Sequence, residues 1–250
     1  MNITWPKVSI CMPTYNRNNF LPLMIFNLQE FIYEDKALLE WVIDDDGTEP
    51  LFTSIDHLNE VKKLIYPITI NYKYSKDRKS IGVKRNNMVK RANYKHIAMM
   101  DSDDIYMPSY IQYSIEIMKK KQKNLVGSNQ MLFLYPFNDF IITGIACEAK
   151  RQIHEATMVF TKKHWQSMGG FCKTNKGEGA KMIDGADSVC AITDIRLCMM
   201  CVCHKDNTVK KDQFLKEDGS NKIDGELNPM IKKLLIKVLS IKSIDDFIIL

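Results

Sequence analysis

No apolar run in the 250 residues reaches the ~18 needed to cross a bilayer, so no transmembrane helix is predicted. The opening MNITWPKVSICMP lacks a basic stretch followed by an apolar one. That argues against a secretory signal and leads us to expect a cytoplasmic protein. Neither an internal repeat nor a low-complexity tract is present. Paired cysteines are not expected either. There are seven cysteines, an odd number without a signal, which reads as reduced thiols. Cys198, Cys201, Cys203 and His204 cluster and raise the question of zinc. A second CxxC is missing, however, and LCMMCVC reads as a buried strand with Cys201 and Cys203 on one face. The net charge of +5 is mild and acids are spread throughout, so nucleic acid is not expected as a partner. An anionic substrate or peripheral contact with a membrane surface would suit it.

What is present is ordinary for a soluble globular chain: 45% hydrophobic and 26% charged residues, in a length that allows one large α/β domain. Lys7 to Met12 is a first predicted strand, stopped by Pro13. Asn18 or Asn19 can cap a helix running to about Tyr33, with Leu21, Met24, Leu28 and Phe31 on one face. Glu40 to Ile43 is a second strand, and a helix follows around Ser54 to Ile65. Ile68, Ile70, Tyr72 and Tyr74 alternate and predict a third strand. A basic loop then leads into a helix, the apolar run Ile97 to Met100, and a further helix from Pro108. Strand and helix thus alternate through the first half, which implies a parallel sheet with helices on its faces.

The second half is less regular. Leu125 to Tyr135 and Phe140 to Cys147 read as two strands joined by Pro136 to Asp139. Ala156 to Thr161 is another strand, with a short helix at Lys162 to Met168. Gly169 to Lys181 is rich in glycine and lysine and reads as mobile. Met199 to Cys203 is the last strand, and Gln213 to Glu226 is polar. Pro229 to Leu239 is an amphipathic helix with a lysine-rich outer face, expected to dock on the domain rather than lie on a membrane.

Two strands end in acids: Asp44-Asp45-Asp46 after the second, and Asp101-Ser102-Asp103-Asp104 after Met100. An unpaired buried charge costs several kcal/mol, so three carboxylates at a strand end need a partner. Carboxylate oxygens suit hard cations such as Mg²⁺ or Mn²⁺, which also take phosphate oxygens. Ligands in open α/β sheets bind outside the carboxyl ends of strands. A metal site holding a diphosphate is one reading of 101–104. A helix N-cap formed by Asp103 or Asp104 is the other.

Three segments carry a resemblance: VSICMPTYNR at 8–17, EWVIDDDGTEP at 40–50 and IGVKRNNMVKRANYKHIAMMDSDD at 81–104. In this order and spacing the chain resembles family 2 glycosyltransferases. The resemblance implies a GT-A fold, a single Rossmann-like domain with a mainly parallel central sheet flanked by helices. It would span residues 1–210, with 1–120 binding the nucleotide sugar and 121–210 the acceptor. A polar loop and the C-terminal helix would fill 211–250.

The implied activity is metal-dependent, inverting transfer of a sugar from a nucleotide-diphosphate sugar, a UDP-sugar by preference, to a hydroxyl of a glycan, protein or lipid-linked acceptor. By the same resemblance Pro13, Thr14, Tyr15 and Arg17 would hold uracil and ribose, and Asp46 the base imide. Arg85 would meet phosphate or acid. Asp101 and Ser102 would contact the donor, and Asp103, Asp101 and His204 would bind Mn²⁺ or Mg²⁺. Each has a plainer reading: Tyr15 as a packed loop aromatic, Asp46 as turn chemistry, Arg85 as a solvated helix face, His204 as a structural histidine. The acid downstream of Gly169-Gly170-Phe171 would be the general base. Glu178 is the first choice, with Asp184 and Asp187 competing, because the family's usual Glu-Asp pair is missing. A sugar-phosphate nucleotidyltransferase is a rival reading. It normally opens on a Gly-rich phosphate loop, where this chain has PTYNRN. A degenerate nucleotide-sugar-binding module is another.

Overall fold

The computed structural model describes residues 4–147, 152–185, 190–216 and 219–241. Its centre is β1 (Val8–Thr14), which runs parallel to β2 (Leu39–Asp45) on one side and to β4 (His96–Met99) on the other. All seven residues of β1 and of β2 are buried. Burial without alternation is what a parallel sheet covered on both faces produces. Alternate side chains still part company: Val8, Ile10 and Met12 join one core layer, and Cys11 joins the other with Val42, Ile97 and Met99. β3 (Thr69–Tyr74) closes that edge and is only partly covered.

Beyond β4 the direction changes. β9 (Val159–Thr161) pairs antiparallel with β4 and with β6 (Leu125–Gly127), and β10 (Cys190–Ile192) runs parallel to β6. The main sheet therefore has the order β10-β6-β9-β4-β1-β2-β3. A smaller sheet has the order β5-β11-β7-β8. It joins β5 (Ile105–Tyr106), β11 (Met199–Val202), β7 (Gln130–Tyr135) and β8 (Ile141–Ala146). This is the α/β, GT-A-type arrangement expected, with β5 and β10 added to the predicted strands.

One expected strand is really two. Leu125 to Tyr135 divides at Ser128 and Asn129, so that β6 lies in the main sheet and β7 in the smaller one. The polar pair does the dividing. Buried Ser128 donates its N–H to Thr157 Oγ1 (2.8 Å) and accepts from Gln130 N (3.1 Å), while Asn129 bonds to Cys147 O. The apolar run on either side carries no mark of this change of sheet.

Helices begin where short polar side chains can take an end N–H. Ser54 caps α2 (Ile55–Leu64), Ser80 caps α3 (Ile81–Arg91) and Thr161 caps α5 (Lys162–Ser167). Asn18 and Asn19 do not cap α1 (Leu21–Glu30). They donate instead to Pro50 O and Val238 O. α1 also stops three residues before Tyr33, since Phe31 is already extended. Ser109 is the N-cap of α4 (Tyr110–Lys121), so Asp103 and Asp104 are free of that role. α6 (Pro229–Val238) buries Leu235 and Val238 and lies against α1. Among the described residues no helix is long and apolar enough to cross a membrane.

The three acids that end β2 each have a separate partner. Asp44 pairs with Arg91 at 3.2 Å. Asp45 accepts from Leu51 N (2.7 Å), Tyr72 Oη (2.8 Å) and Gly47 N (3.1 Å), which shapes the turn. Asp46 accepts from Lys79 N (2.7 Å) and from Lys84 Nζ (2.6 Å), and the same ammonium donates to Thr14 O (2.9 Å). Lys84 therefore ties α3 to the ends of β1 and β2. Both partners of this pair are almost fully buried. Removing one strands the other, which typically costs about 3–5 kcal/mol. Lys84→Met is expected to lower unfolding free energy by about that amount in urea titration, and adding Asp46→Leu should recover most of it. A loss below ~1 kcal/mol for Lys84→Met would contradict this reading of the pair.

Candidate active site

The C-terminal ends of β1 and β4 and the start of α3 surround a cavity of about 610 Å³. Pro13, Tyr15 and Arg17 reach it from the loop after β1, and Asp101, Ser102 and Asp103 from the loop after β4. Arg78, Lys79, Lys84 and Arg85 add basic side chains from the approach to α3 and its first turn. The Arg78 guanidinium lies 4.1 Å from the Tyr15 ring centroid. Thr14 is buried behind the wall, with its carbonyl on Lys84. Asp46 is buried too and does not line the cavity, because Lys79 and Lys84 take one oxygen each.

The acids after β4 separate into two kinds. Asp101 Oδ1 accepts from Arg85 Nη2 at 2.9 Å. Asp103 Oδ2 accepts from Arg17 Nε at 2.9 Å and lies 3.1 Å from His204 Nε2. Asp104 turns inward, accepting from Val202 N at 2.9 Å. Burial raises the Asp101 carboxyl above its ordinary value, with Arg85 pulling the other way. Burial would raise Asp103 as well, but the His204 hydrogen bond and Arg17 outweigh it and hold that carboxyl low. Asp104, deep and near two other carboxylates, is pushed well above the usual range.

Asp103 thus carries the low-lying charge of the three. His204 is buried, its ring 4.8 Å from Phe20, and its Nδ1 accepts from Asp206 N at 3.3 Å. That leaves the proton on Nε2, pointing at Asp103. Among the described residues no three His, Cys, Asp or Glu side chains form a ready-made metal site. The bonds named use Asp101 Oδ1 and Asp103 Oδ2, so Asp101 Oδ2 and Asp103 Oδ1 are the oxygens left for another ligand. A magnesium-like ion usually takes one or two carboxylates plus substrate phosphates, which fits this pair.

Cys198, Cys201 and Cys203 are buried beside this region, in the core as LCMMCVC predicts.

A second cavity, about 340 Å³, shares Arg85, Asp101 and Asp103 with the first. Glu178 lines it. Its Oε1 accepts from Arg85 Nε at 3.0 Å, and the side chain is buried rather than solvated. Arg85 is itself 3% exposed, bridges Asp101 and Glu178, and leaves Nη1 without a partner. Burial opposes its charge; Asp101 and Glu178 outweigh burial and keep it protonated.

The segment carrying Glu178 is held against α3. Gly82 N donates to Thr174 O (3.0 Å), Ile81 N to Asn175 Oδ1 (3.0 Å) and Cys172 N to Glu178 O (2.7 Å). A Cβ on Gly82 would fall 1.7 Å from Cys172 O, so the contact requires glycine. Asn86 holds the segment's start, accepting from Trp165 Nε1 and Phe171 N and donating to Phe171 O. The segment expected to be mobile thus has a defined course, with one backbone bond and several side-chain bonds to α3.

Asp184 is exposed and lines neither cavity; Asp187 lies outside the described residues. Sequence reasoning passed over Lys84, His154, Glu155 and Lys211. Glu155 lines the second cavity and accepts from Gly179 N at 3.0 Å. The only signal for it was a His-Glu pair just before an apolar strand.

The fold and sequence have known counterparts. S. aureus TarS 1-349, solved with UDP, superposes with a TM-score of 0.62 at 14% identity over 78% of this chain and 60% of that one. The mannosyltransferase PcManGT of Pyrobaculum calidifontis, solved with GDP-Man and Mn²⁺, gives 0.64 at 15% identity over 93% and 68%. The Escherichia coli UDP-Glc:alpha-D-GlcNAc-diphosphoundecaprenol beta-1,3-glucosyltransferase WfgD is 28% identical over 49% of this chain and 45% of its own length. The chain spans less than half the length of the curated relatives it matches, from 15% to 45%. Residues 9–174 match the Glycosyl transferase family 2 model, and the chain belongs to that family of glycosyltransferases.

Proposed function

We propose that the chain catalyses metal-dependent, inverting transfer of a sugar from a UDP-sugar to an acceptor hydroxyl. The observation that carries this reading is the position of Asp101, Asp103 and Arg85 on the boundary between two cavities. A donor in the larger cavity would present its reacting carbon at that boundary, and an acceptor in the smaller one would meet it there. Asp101 and Asp103 would hold Mn²⁺ or Mg²⁺, which supplies charge to stabilise the departing diphosphate. His204 orients Asp103 rather than offering its own nitrogen to the cavity. Arg17, Arg78, Lys79 and Lys84 give the donor cavity the positive charge a diphosphate needs. Tyr15 offers uracil a stacking face, which Arg78 can cover from the other side. Asp46 acts through Lys84, which it holds at the wall. TarS was solved with UDP and PcManGT with GDP-Man and Mn²⁺, so both the nucleotide and the metal have precedent in this fold.

Asp103→Asn removes the low-lying charge while Asn can still accept one hydrogen bond. It is expected to abolish turnover and Mn²⁺-dependent UDP binding, measured by calorimetry, with the melting temperature nearly kept. Full activity of this variant, or of the wild type in excess chelator, would overturn the metal assignment. Tighter binding of GDP than of UDP would overturn the donor.

Glu178 is the proposed base: a carboxylate on the acceptor side, aimed by Arg85, that takes the hydroxyl proton as the sugar transfers. Glu178→Gln keeps the shape and the Arg85 contact. It should lower turnover by about 10²-fold or more, with donor binding little changed. Near-normal turnover in Glu178→Gln, with loss in Glu155→Gln or Asp187→Asn, would move the base to that residue.

A further inference from the structure

The smaller cavity contains features that a neutral sugar hydroxyl does not account for. Met131, Phe133, Ile145 and Phe214 give it apolar walls, and Phe133 stacks on Phe214 at 4.6 Å. Set among them is half-buried Lys211, whose ammonium lies 5.5 Å from the Phe133 ring centroid. Its backbone is fixed, since its carbonyl accepts from Tyr135 Oη at 3.0 Å and Phe214 N at 2.9 Å. Among the described residues no carboxylate pairs with this ammonium. The five acids that line the same cavity each have another partner: Glu178 and Asp101 are on Arg85, Asp103 on Arg17, Asp104 on Val202 N and Glu155 on Gly179 N. Burial opposes the Lys211 charge and the nearby Cys201, Asp104 and Asp101 favour it more strongly, yet no carboxylate of the described residues comes within ion-pair distance, which leaves the ammonium able to take a ligand's counter-charge.

Two more of the residues that line this cavity carry a buried nitrogen without a hydrogen-bond partner. Arg85 Nη1 is buried and has no acceptor. His154 Nε2 is also buried and unbonded; burial and then Lys211 push that imidazole down to about 4, so it is neutral at pH 7. It can exchange a hydrogen bond with a sugar hydroxyl without competing for the anion.

We propose that the 340 Å³ cavity is the acceptor subsite and that it takes a sugar bearing an anionic group, a carboxylate or a phosphate, which pairs with Lys211 Nζ. The volume admits a group of about monosaccharide to small-ligand size. Exposed Lys176, which also lines the cavity, adds positive charge on the approach. This inference rests on the glycosyltransferase reading, and it narrows the acceptor from any hydroxyl compound to an acidic one.

The test keeps the donor site filled. With the full chain saturated by UDP and Mn²⁺, glucose, glucuronate and glucose 1-phosphate are titrated separately by calorimetry. At least one of the two anions should bind tenfold or more tightly than glucose, and the better of them tells carboxylate from phosphate. Lys211→Met should reduce that anion to the level of glucose, and Lys211→Arg should retain the preference; melting curves check that both variants fold. Equal or undetectable binding of all three probes to the wild type overturns the proposal. A preference that survives Lys211→Met does so too. Failure of UDP and Mn²⁺ to bind the wild type at all would overturn the underlying reading along with it. Intact UDP binding without anion preference overturns the acceptor proposal alone.

Discussion

The site depends on one buried cation. Arg85 has almost no exposure, and moving a charge of that size out of water carries a penalty of several kcal/mol even after relaxation. Asp101 on one side and Glu178 on the other offset it. These acids come from segments 77 residues apart in the chain, so the guanidinium joins the wall of the larger cavity to that of the smaller one. The helix supports this with three positions on one face. Gly82, Arg85 and Asn86 stand at i, i+3 and i+4, and all three touch the segment from Phe171 to Glu178. Glycine lets the backbones approach, arginine pairs the acids, and asparagine closes the near end. The spacing that marks the family in sequence is thus a helix face clamping a loop.

The two acid runs solve the same problem differently. After β2 every carboxylate is consumed internally, by Arg91, by the turn with Tyr72, and by Lys84. After β4 only Asp104 is buried in this way; Asp101 and Asp103 are paired with Arg85, Arg17 and His204 but stay partly exposed. Asp101 and Asp103, two residues apart, both reach the cavities. A run of three aspartates therefore says little about function by itself. What separates the two runs is exposure: Asp44, Asp45 and Asp46 are closed off, whereas Asp101 and Asp103 keep a face on the cavities.

This explains what was legible in the sequence. β1, β2 and β4 are short apolar runs with sharp stops, and buried parallel strands need nothing else to be recognised. Asp101, Asp103 and Arg85 sit in motifs with fixed offsets, Glu178 was one of three acids downstream of Gly169-Gly170-Phe171, and the structure gathers these four around one boundary. The division at Ser128-Asn129 was hidden because β6 and β7 are both apolar and nearly contiguous. β10 is three residues long, below the length at which a period shows. Lys84 looked like one more lysine on a basic helix; its burial follows from a partner 38 residues away. His154, Glu155 and Lys211 reach the second cavity only through tertiary folding, and no local pattern encodes that meeting.

Arg17 ties together two parts of the larger cavity's wall. Its Nε is on Asp103 and its Nη2 on Asp206 O at 2.6 Å, so it neutralises the carboxylate and closes the loop after β11 over it. A bare Asp103 beside Asp101 would be a repulsive pair; with Arg17 and His204 on the same oxygen, the carboxylate stays charged without that strain. Because both hold Oδ2, Oδ1 is the atom that can turn to another cation. The arginine thereby stays at the wall of the larger cavity. The same residue that makes the acidic pair stable in the folded chain also adds positive charge to the adjoining cavity.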